Sequence, residues 1–303
     1  MTLGFSGPHV PQLRLPEGIR LETISPDRIL TPTATPVFER CAIVENEAIA
    51  PEHFRIRLHA PKWSSGRAGQ FAMVRTAPDA DAHPLLPRPM AIYRYFPKDG
   101  DIDIVYRNIG EGTLALSERQ AGDEVEIVGP LGRPFALRPE TRGVLLVGRG
   151  IGTCSIVALA ETAADLGISV FGLLSGRSSD VVLGAEVFTR FAEDLRTVND
   201  RDGSSSVEQI RPHFDRILAS GHIQQIFVCG ANRLVDLACT LAAESDVEVQ
   251  VSLEAHMACG LGYCHACATG AFGEFEESPL VCRDGPVFVA SKALENSTAG
   301  VSM

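Results

Sequence analysis

Four cysteines towards the carboxyl end, Cys259, Cys264, Cys267 and Cys282, are spaced C-x4-C-x2-C-x14-C. Iron–sulfur clusters are held by cysteine thiolates, and C-x4-C-x2-C is a spacing that takes a 2Fe-2S centre. Gly260, Gly262, Gly270 and Gly273 are interleaved with them. A loop wrapped around a cluster must aim backbone N–H groups at sulfur and adopt positive φ angles, which glycine does cheaply. Structural zinc is the competing reading, but zinc favours two close cysteine pairs and only one C-x2-C is present. A Rieske-type centre would put two histidines in place of two cysteines. With four cysteines available, His256 and His265 are read as neighbours of the site or surface residues. The other cysteines, Cys41, Cys154, Cys229 and Cys239, lie in apolar settings, and three of them read as small buried hydrophobes.

A second stretch, Val147-Gly148-Arg149-Gly150-Ile151-Gly152, follows a continuous apolar run and opens a helical pattern. Gly148, Gly150 and Gly152 would let the backbone approach a pyrophosphate at a helix start. The spacing is G-x-G-x-G rather than G-x-G-x-x-G, and no clear acid follows about twenty positions on, so an ordinary strand-to-helix turn stays open. Arg177, flanked by Ser175, Ser178 and Ser179, reads either as a contact for a 2′-phosphate or as an exposed loop arginine. Further upstream come Arg88-Pro89-Met90-Ala91-Ile92, then Tyr106 to Thr113, then Gly129-Pro130-Leu131-Gly132. An arginine pairs with a diphosphate by charge-assisted bonds, and Gly112-Thr113 can turn backbone N–H groups to the same anion. Each alone is equally a salt-bridged strand arginine or a common turn.

These residues need elements to hold them. From residue 40, short runs alternate with period two: Phe54, Ile56 and Leu58; Ile102, Ile104 and Tyr106; Val125 and Ile127. Roughly six such runs without helical stretches predict a small antiparallel barrel. At Gly143 the pattern changes. Val144 to Val147, Ile168 to Leu174 and Ile226 to Cys229 are continuous apolar runs, and helical patterns cover Cys154 to Ala164, Ala185 to Leu195 and Leu234 to Ala243. Such alternation predicts a parallel sheet covered on both faces. The fold class is therefore α+β and multidomain. An extended N-terminal segment (1–37) with six prolines precedes a barrel domain (38–139), an α/β nucleotide-binding domain (140–248), a small cluster domain (249–295) and a polar tail (296–303).

Gly and Pro together are 47 of 303 residues, short of the roughly 25–30% of a disordered chain, so the sequence predicts a folded protein. Its net charge of −11 and lack of a Lys/Arg run argue against nucleic acid. No apolar stretch has membrane-spanning length and no secretory start is present, so a cytoplasmic location is expected.

Barrel, nucleotide loop and cysteine cluster in this order resemble the ferredoxin-reductase superfamily, and within it the electron-transfer subunits of dihydroorotate dehydrogenase B. The resemblance spans about residues 40–290. It is most specific at Gly69-Gln70-Phe71, Arg88 to Ala91, Gly110 to Thr113, Gly129 to Gly132, Met257 to Cys264 and Val281 to Phe288. The short spacer before Cys282 is a further likeness, since plant-type ferredoxin domains place their fourth cysteine much later.

The resemblance implies that FAD is held by Arg88, Pro89, Met90, Ala91, Val105, Tyr106, Arg107, Gly112 and Thr113. It places NAD(P)H, with NADH preferred, on Gly148, Gly150 and Gly152, and Cys229-Gly230 near the flavin. Cys259, Cys264, Cys267 and Cys282 would ligate the 2Fe-2S cluster. Three positions depart from the family: Ala91 replaces a Ser or Thr, Arg149 a glycine, and Ala231-Asn232 follows Cys229-Gly230 where proline is usual. A nicotinamide gives two electrons as hydride and a cluster accepts one, so a flavin between them serves both without a catalytic acid or base from the protein. The expected function is electron transfer to or from a separate catalytic subunit in a hetero-oligomer, of the dihydroorotate-oxidising type. The alternatives are the reductase component of a multicomponent oxygenase and a non-enzymatic, zinc-stabilised module.

Overall fold

A computed structural model of the protein describes residues 15–28, 35–63, 66–77, 84–245, 247–270 and 277–292. The first strand, β1 (Ile19–Thr23), lies apart from the barrel, which is built from β2 (Val37–Ala50), β3 (His53–His59), β4 (Phe71–Val74), β5 (Arg88–Phe96), β6 (Asp101–Arg107) and β7 (Glu124–Leu131). These six close in the order β2-β3-β6-β5-β4-β7, all neighbours antiparallel, as the period-two runs predict. Cys41 and Ile43 on β2 alternate with exposed neighbours and meet Ile56, Leu58, Ile92, Ile104 and Ile127 in the interior. A short helix, α1 (Glu111–Ser117), links β6 to β7.

The sheet half contains β8 (Gly143–Arg149), α2 (Cys154–Asp165), β9 (Ser169–Gly176), α3 (Ala185–Phe188), β10 (Ala192–Asn199), α4 (Val207–Ala219), β11 (Gln225–Cys229), α5 (Asn232–Ser245), β12 (Glu248–Ser252) and β13 (Val287–Lys292). Its order is β1-β13-β12-β11-β8-β9-β10. The strands from β12 to β10 are parallel, while β13 and β1 add antiparallel to one edge. The chain starts at β8, moves outward to β10, then crosses back to β11. The strand order therefore reverses between β8 and β11, and in open parallel sheets a ligand sits beyond the strand ends at that point. Val144, Leu145, Leu146 and Val147 are fully buried because both faces of β8 are covered.

One helical expectation fails. Ala185 to Leu195 is not a helix: α3 stops after one turn at Phe188, and Ala192 begins β10. Phe188 and Leu195 share helical spacing because both pack over Gly172 of β9, where a Cβ would meet their rings and methyls at 2.9 and 2.8 Å. The patterned face is that of a glycine notch, approached by a turn and by an edge strand. Helix α4, capped by the Ser206 hydroxyl accepting from the Gln209 N–H, was not read from the sequence.

Barrel and sheet share a core. Ala68, Tyr93 and Val105 pack in one cluster with Val144, Phe227 and the buried side of α2, and Arg94 pairs with Glu161 at 2.5 Å. The segment before the barrel joins the same junction: Ile24 is fully buried there, Arg133 donates to its carbonyl at 3.0 Å, and Arg28 grips Glu248 at 2.6 Å. The remaining lead-in, residues 1–14 and 29–34, and the polar tail after Lys292 lie outside the described residues. Among the described residues no helix is long and apolar enough to cross a membrane.

Candidate functional site

A cavity of about 560 Å³ opens between the barrel and the sheet, within the range of cofactor sites. Arg88, Pro89, Met90 and Ala91 at the start of β5, Val105, Tyr106 and Arg107 at the end of β6, and Gly112 and Thr113 of α1 all line it. Antiparallel pairing brings the first two groups together, since β5 lies beside β6 in the barrel. At Gly112 a Cβ would come within 3.0 Å of Pro84 and 3.3 Å of Arg88 Nε, so the wall is closed to any side chain there. The Thr113 hydroxyl is spent on the turn, accepting from the N–H groups of Ile109 and Gly110 at 3.0 and 3.2 Å. Arg88 Nη1 donates to the Leu86 carbonyl at 2.7 Å. Arg107 is bound to Glu52 at 2.6 Å.

A second cavity, about 540 Å³, lies over the point where the strand order reverses. Gly150 and Gly230 line it with Arg149, Arg177 and Asp180, and the barrel turn Pro51–His53 faces them. Gly148, Gly152 and Cys229 stand behind that wall. A Cβ on Gly152 would lie 3.0 Å from the Cys229 carbonyl carbon and oxygen, so this glycine lets the loop after β8 close on β11. Cys229 is buried, which pushes its thiol up to about 12. Arg149 does not reach freely into the cavity. Its guanidinium donates to Ser175 Oγ at 2.9 Å and to Asp200 at 2.5 Å. Arg233 pairs with the same carboxylate at 3.2 Å, and hydrogen bonds from Arg149 and then Ser205 hold Asp200 down to about 2.

The two cavities meet. Arg107, Ile151, Ser252, Leu253 and Glu254 line both. Glu254 is exposed to the open groove at this junction, while the protein crowded around it raises its carboxyl pKa by desolvation. Sequence reasoning missed Ser252, Glu254 and Asp200, which reach the site only through strand order and carry no local motif.

The chain leaving β12 runs from this junction directly into the cysteines. Cys259 is partly exposed, Cys264 exposed, and Cys267 and Cys282 buried. Backbone N–H groups point at sulfur: Leu261 donates to Cys259 Sγ and Cys282 to Cys267 Sγ, each at 3.4 Å. Burial pushes the Cys259 thiol up, but hydrogen bonds from the backbones of Leu261, Cys264 and Tyr263 outweigh it and bring it down to about 6. Burial, with a hydrogen bond to Cys267, pushes Cys282 up to about 12. Cys264 hydrogen-bonds to Cys259 and Cys267 to Cys282, and Cys282 also feels the charge of Cys259. Among the described residues no three His, Cys, Asp or Glu side chains converge on one metal position. Four mutually influencing thiols with backbone amides turned to sulfur suit an iron–sulfur centre. Gly260 (φ +69°) seats the loop against Met73 of β4, where a Cβ would meet Cγ at 2.5 Å.

Residues 254–293 match the family model for the iron–sulfur cluster binding domain of dihydroorotate dehydrogenase B. The chain is 31% identical over 259 residues to the electron transfer subunit of dihydroorotate dehydrogenase B (NAD(+)) from Bacillus caldolyticus, covering 84% of this chain and 98% of that protein. The same-named Streptococcus mutans protein is 30% identical over 255 residues, covering 82% and 95%. Among solved structures, an NADH-dependent reduced ferredoxin–NADP oxidoreductase described for flavin-based electron bifurcation superposes with a TM-score of 0.68 at 26% identity, covering 82% of this chain and 87% of that one. The ferredoxin reductase of carbazole 1,9a-dioxygenase shares the fold, with a TM-score of 0.56 at 19% identity over 71% and 68%.

Proposed function

Because this chain belongs to the family of dihydroorotate dehydrogenase B electron-transfer subunits, we propose that it moves electrons between NADH, FAD, a 2Fe-2S cluster and a separate catalytic subunit. The observation that carries this reading is the meeting of two cavities at Arg107, Ile151, Ser252, Leu253 and Glu254, immediately before the cysteine loop. Bound in the barrel cavity, FAD would supply the exchange between a two-electron hydride and the single electrons an iron–sulfur centre takes.

The residues divide the work along the chain. In 38–139, Arg88 to Ala91, Val105 to Arg107, Gly112 and Thr113 hold FAD, and Ala91 offers it backbone contact without a hydroxyl. In 140–248, Gly148, Gly150 and Gly152 shape the loop that receives NADH, and Cys229 and Gly230 close the strand end beside it. Ile151 and Leu253 put apolar surface where the cavities join. In 249–295, Cys259, Cys264, Cys267 and Cys282 ligate the two irons. Leu261 and Tyr263, 47% and 86% exposed, stand next to the exposed Cys264 in the chain, and the partner subunit docks on this loop.

Native purification tests the reading. The chain should emerge with flavin, iron and acid-labile sulfide, in complex with a dihydroorotate-oxidising flavoprotein. A colourless chain would leave only a structural module, and recovery with an oxygenase would replace the partner while keeping the electron-transfer role.

A further inference from the structure

We infer that Asp180 accepts hydrogen bonds from the adenosine ribose of the nicotinamide nucleotide and so selects NADH over its 2′-phosphorylated counterpart, a role that deepens, and rests on, the nucleotide reading of the second cavity. Position comes first. A nucleotide in that cavity must bring its nicotinamide to the junction with the barrel cavity, where Ile151, Leu253 and Glu254 are among the residues lining both. Its pyrophosphate then meets the loop after β8, where Gly150 lines the cavity. The adenosine is left for the wall that the barrel cavity does not share, and Arg177, Ser178 and Asp180 stand there. In dinucleotide-binding sheets an acid further along from the glycine loop takes the ribose 2′-hydroxyl, or a nearby arginine takes a 2′-phosphate. Charge decides between them. Of the arginines lining the cavity, Arg107 is paired with Glu52 and Arg149 with Asp200. Arg177 is exposed, and Glu52, on the barrel turn that faces it, feels its charge. Asp180 is exposed as well, and hydrogen bonds from the Ser178 hydroxyl and from its own backbone hold its carboxyl below the ordinary range, so it is ionised at neutral pH. A 2′-phosphate drawn to Arg177 would meet the charges of two carboxylates, Asp180 and Glu52. A ribose with both hydroxyls free instead meets a carboxylate with acceptor positions to spare. The acid expected about twenty positions beyond the glycines comes later, past α2 and β9, and reaches the cavity because β9 pairs with β8.

The test takes the flavin-loaded full chain without oxygen and reads the initial rate of flavin bleaching at low concentrations of NADH or NADPH, so that the ratio of the two rates reports discrimination. Wild type should favour NADH about tenfold or more. Asp180→Asn keeps the shape and an acceptor but removes the charge; it should speed bleaching by NADPH and lower the ratio about tenfold, while Asp180→Glu should keep NADH ahead. Asp180→Ala removes the acceptor too, and should slow NADH about tenfold without slowing NADPH. Equal bleaching of wild type by both nucleotides, an unchanged ratio in Asp180→Asn, or an equal loss for both in Asp180→Ala would each overturn this inference alone. A flavin that neither nucleotide bleaches would overturn the nucleotide reading with it.

Discussion

Asp200 carries the clearest electrostatic signature at the level of single residues. Arg149, which the resemblance sets where the family has a glycine, does not extend freely over the nucleotide cavity but shares this carboxylate with Arg233. Asp200 is held to about 2 against an ordinary 3.8. The unfolded chain lacks the clamp and binds the proton more readily, so its contribution is complete above about pH 4 and is lost as pH falls towards 2. The side chain is 37% exposed, so solvent screens the pair, and we expect Asp200→Asn to cost about 1 kcal/mol or less near neutrality. Urea melts should show that difference shrinking between about pH 4 and pH 2; a constant difference would contradict the clamp. Cysteines give a second test. Cys267→Ser should remove iron and labile sulfide, while Cys239→Ser, at a buried site in α5, should retain both. The cysteines proposed as cluster ligands stand out in the sequence because three of them lie within one nine-residue loop, 259–267, whose spacing is itself the signal. Asp200, Ser252 and Glu254 do not, since strands distant in sequence bring them together.

Elements were legible where both faces or one face of a strand are uniformly treated. Val144 to Val147 read as a covered strand and Phe54 to Leu58 as a half-covered one, and each is. Strand β10 was misread because an edge strand buries little, leaving Glu193, Asp194 and Arg196 to mimic a solvated helix face. The loop after β8 yields a prediction at this scale. Gly152→Ala forces backbone apart at the end of β11, so NADH affinity should fall about tenfold with FAD affinity unchanged; paired titrations check this, and equal binding of NADH would argue against the loop's role. The N-terminal segment makes a further element. Its strand β1 covers the edge of β13, and Ile24 fills the barrel–sheet junction. Ile24→Ala should cost about 3 kcal/mol, seen as a lower urea midpoint; a negligible change would mean the segment is not part of the packed junction.

The whole molecule is a barrel and a sheet fused through one apolar core, so the two cavities meet at a fixed place and the cysteine loop starts from it. Sequence order alone announced three modules, but not that β12 and β13, on either side of the cysteine loop, complete the nucleotide-binding sheet. That shared sheet ties the loop to the site. On the proposed function, electrons entering from NADH must be able to reach the iron–sulfur centre within one chain. Anaerobic titration with NADH, followed by visible absorbance and electron paramagnetic resonance, tests this most directly. We predict bleaching of the flavin bands together with a paramagnetic signal from the reduced cluster, the signal being absent in Cys267→Ser. Complete bleaching of flavin in an iron-replete chain with no such signal would contradict the account.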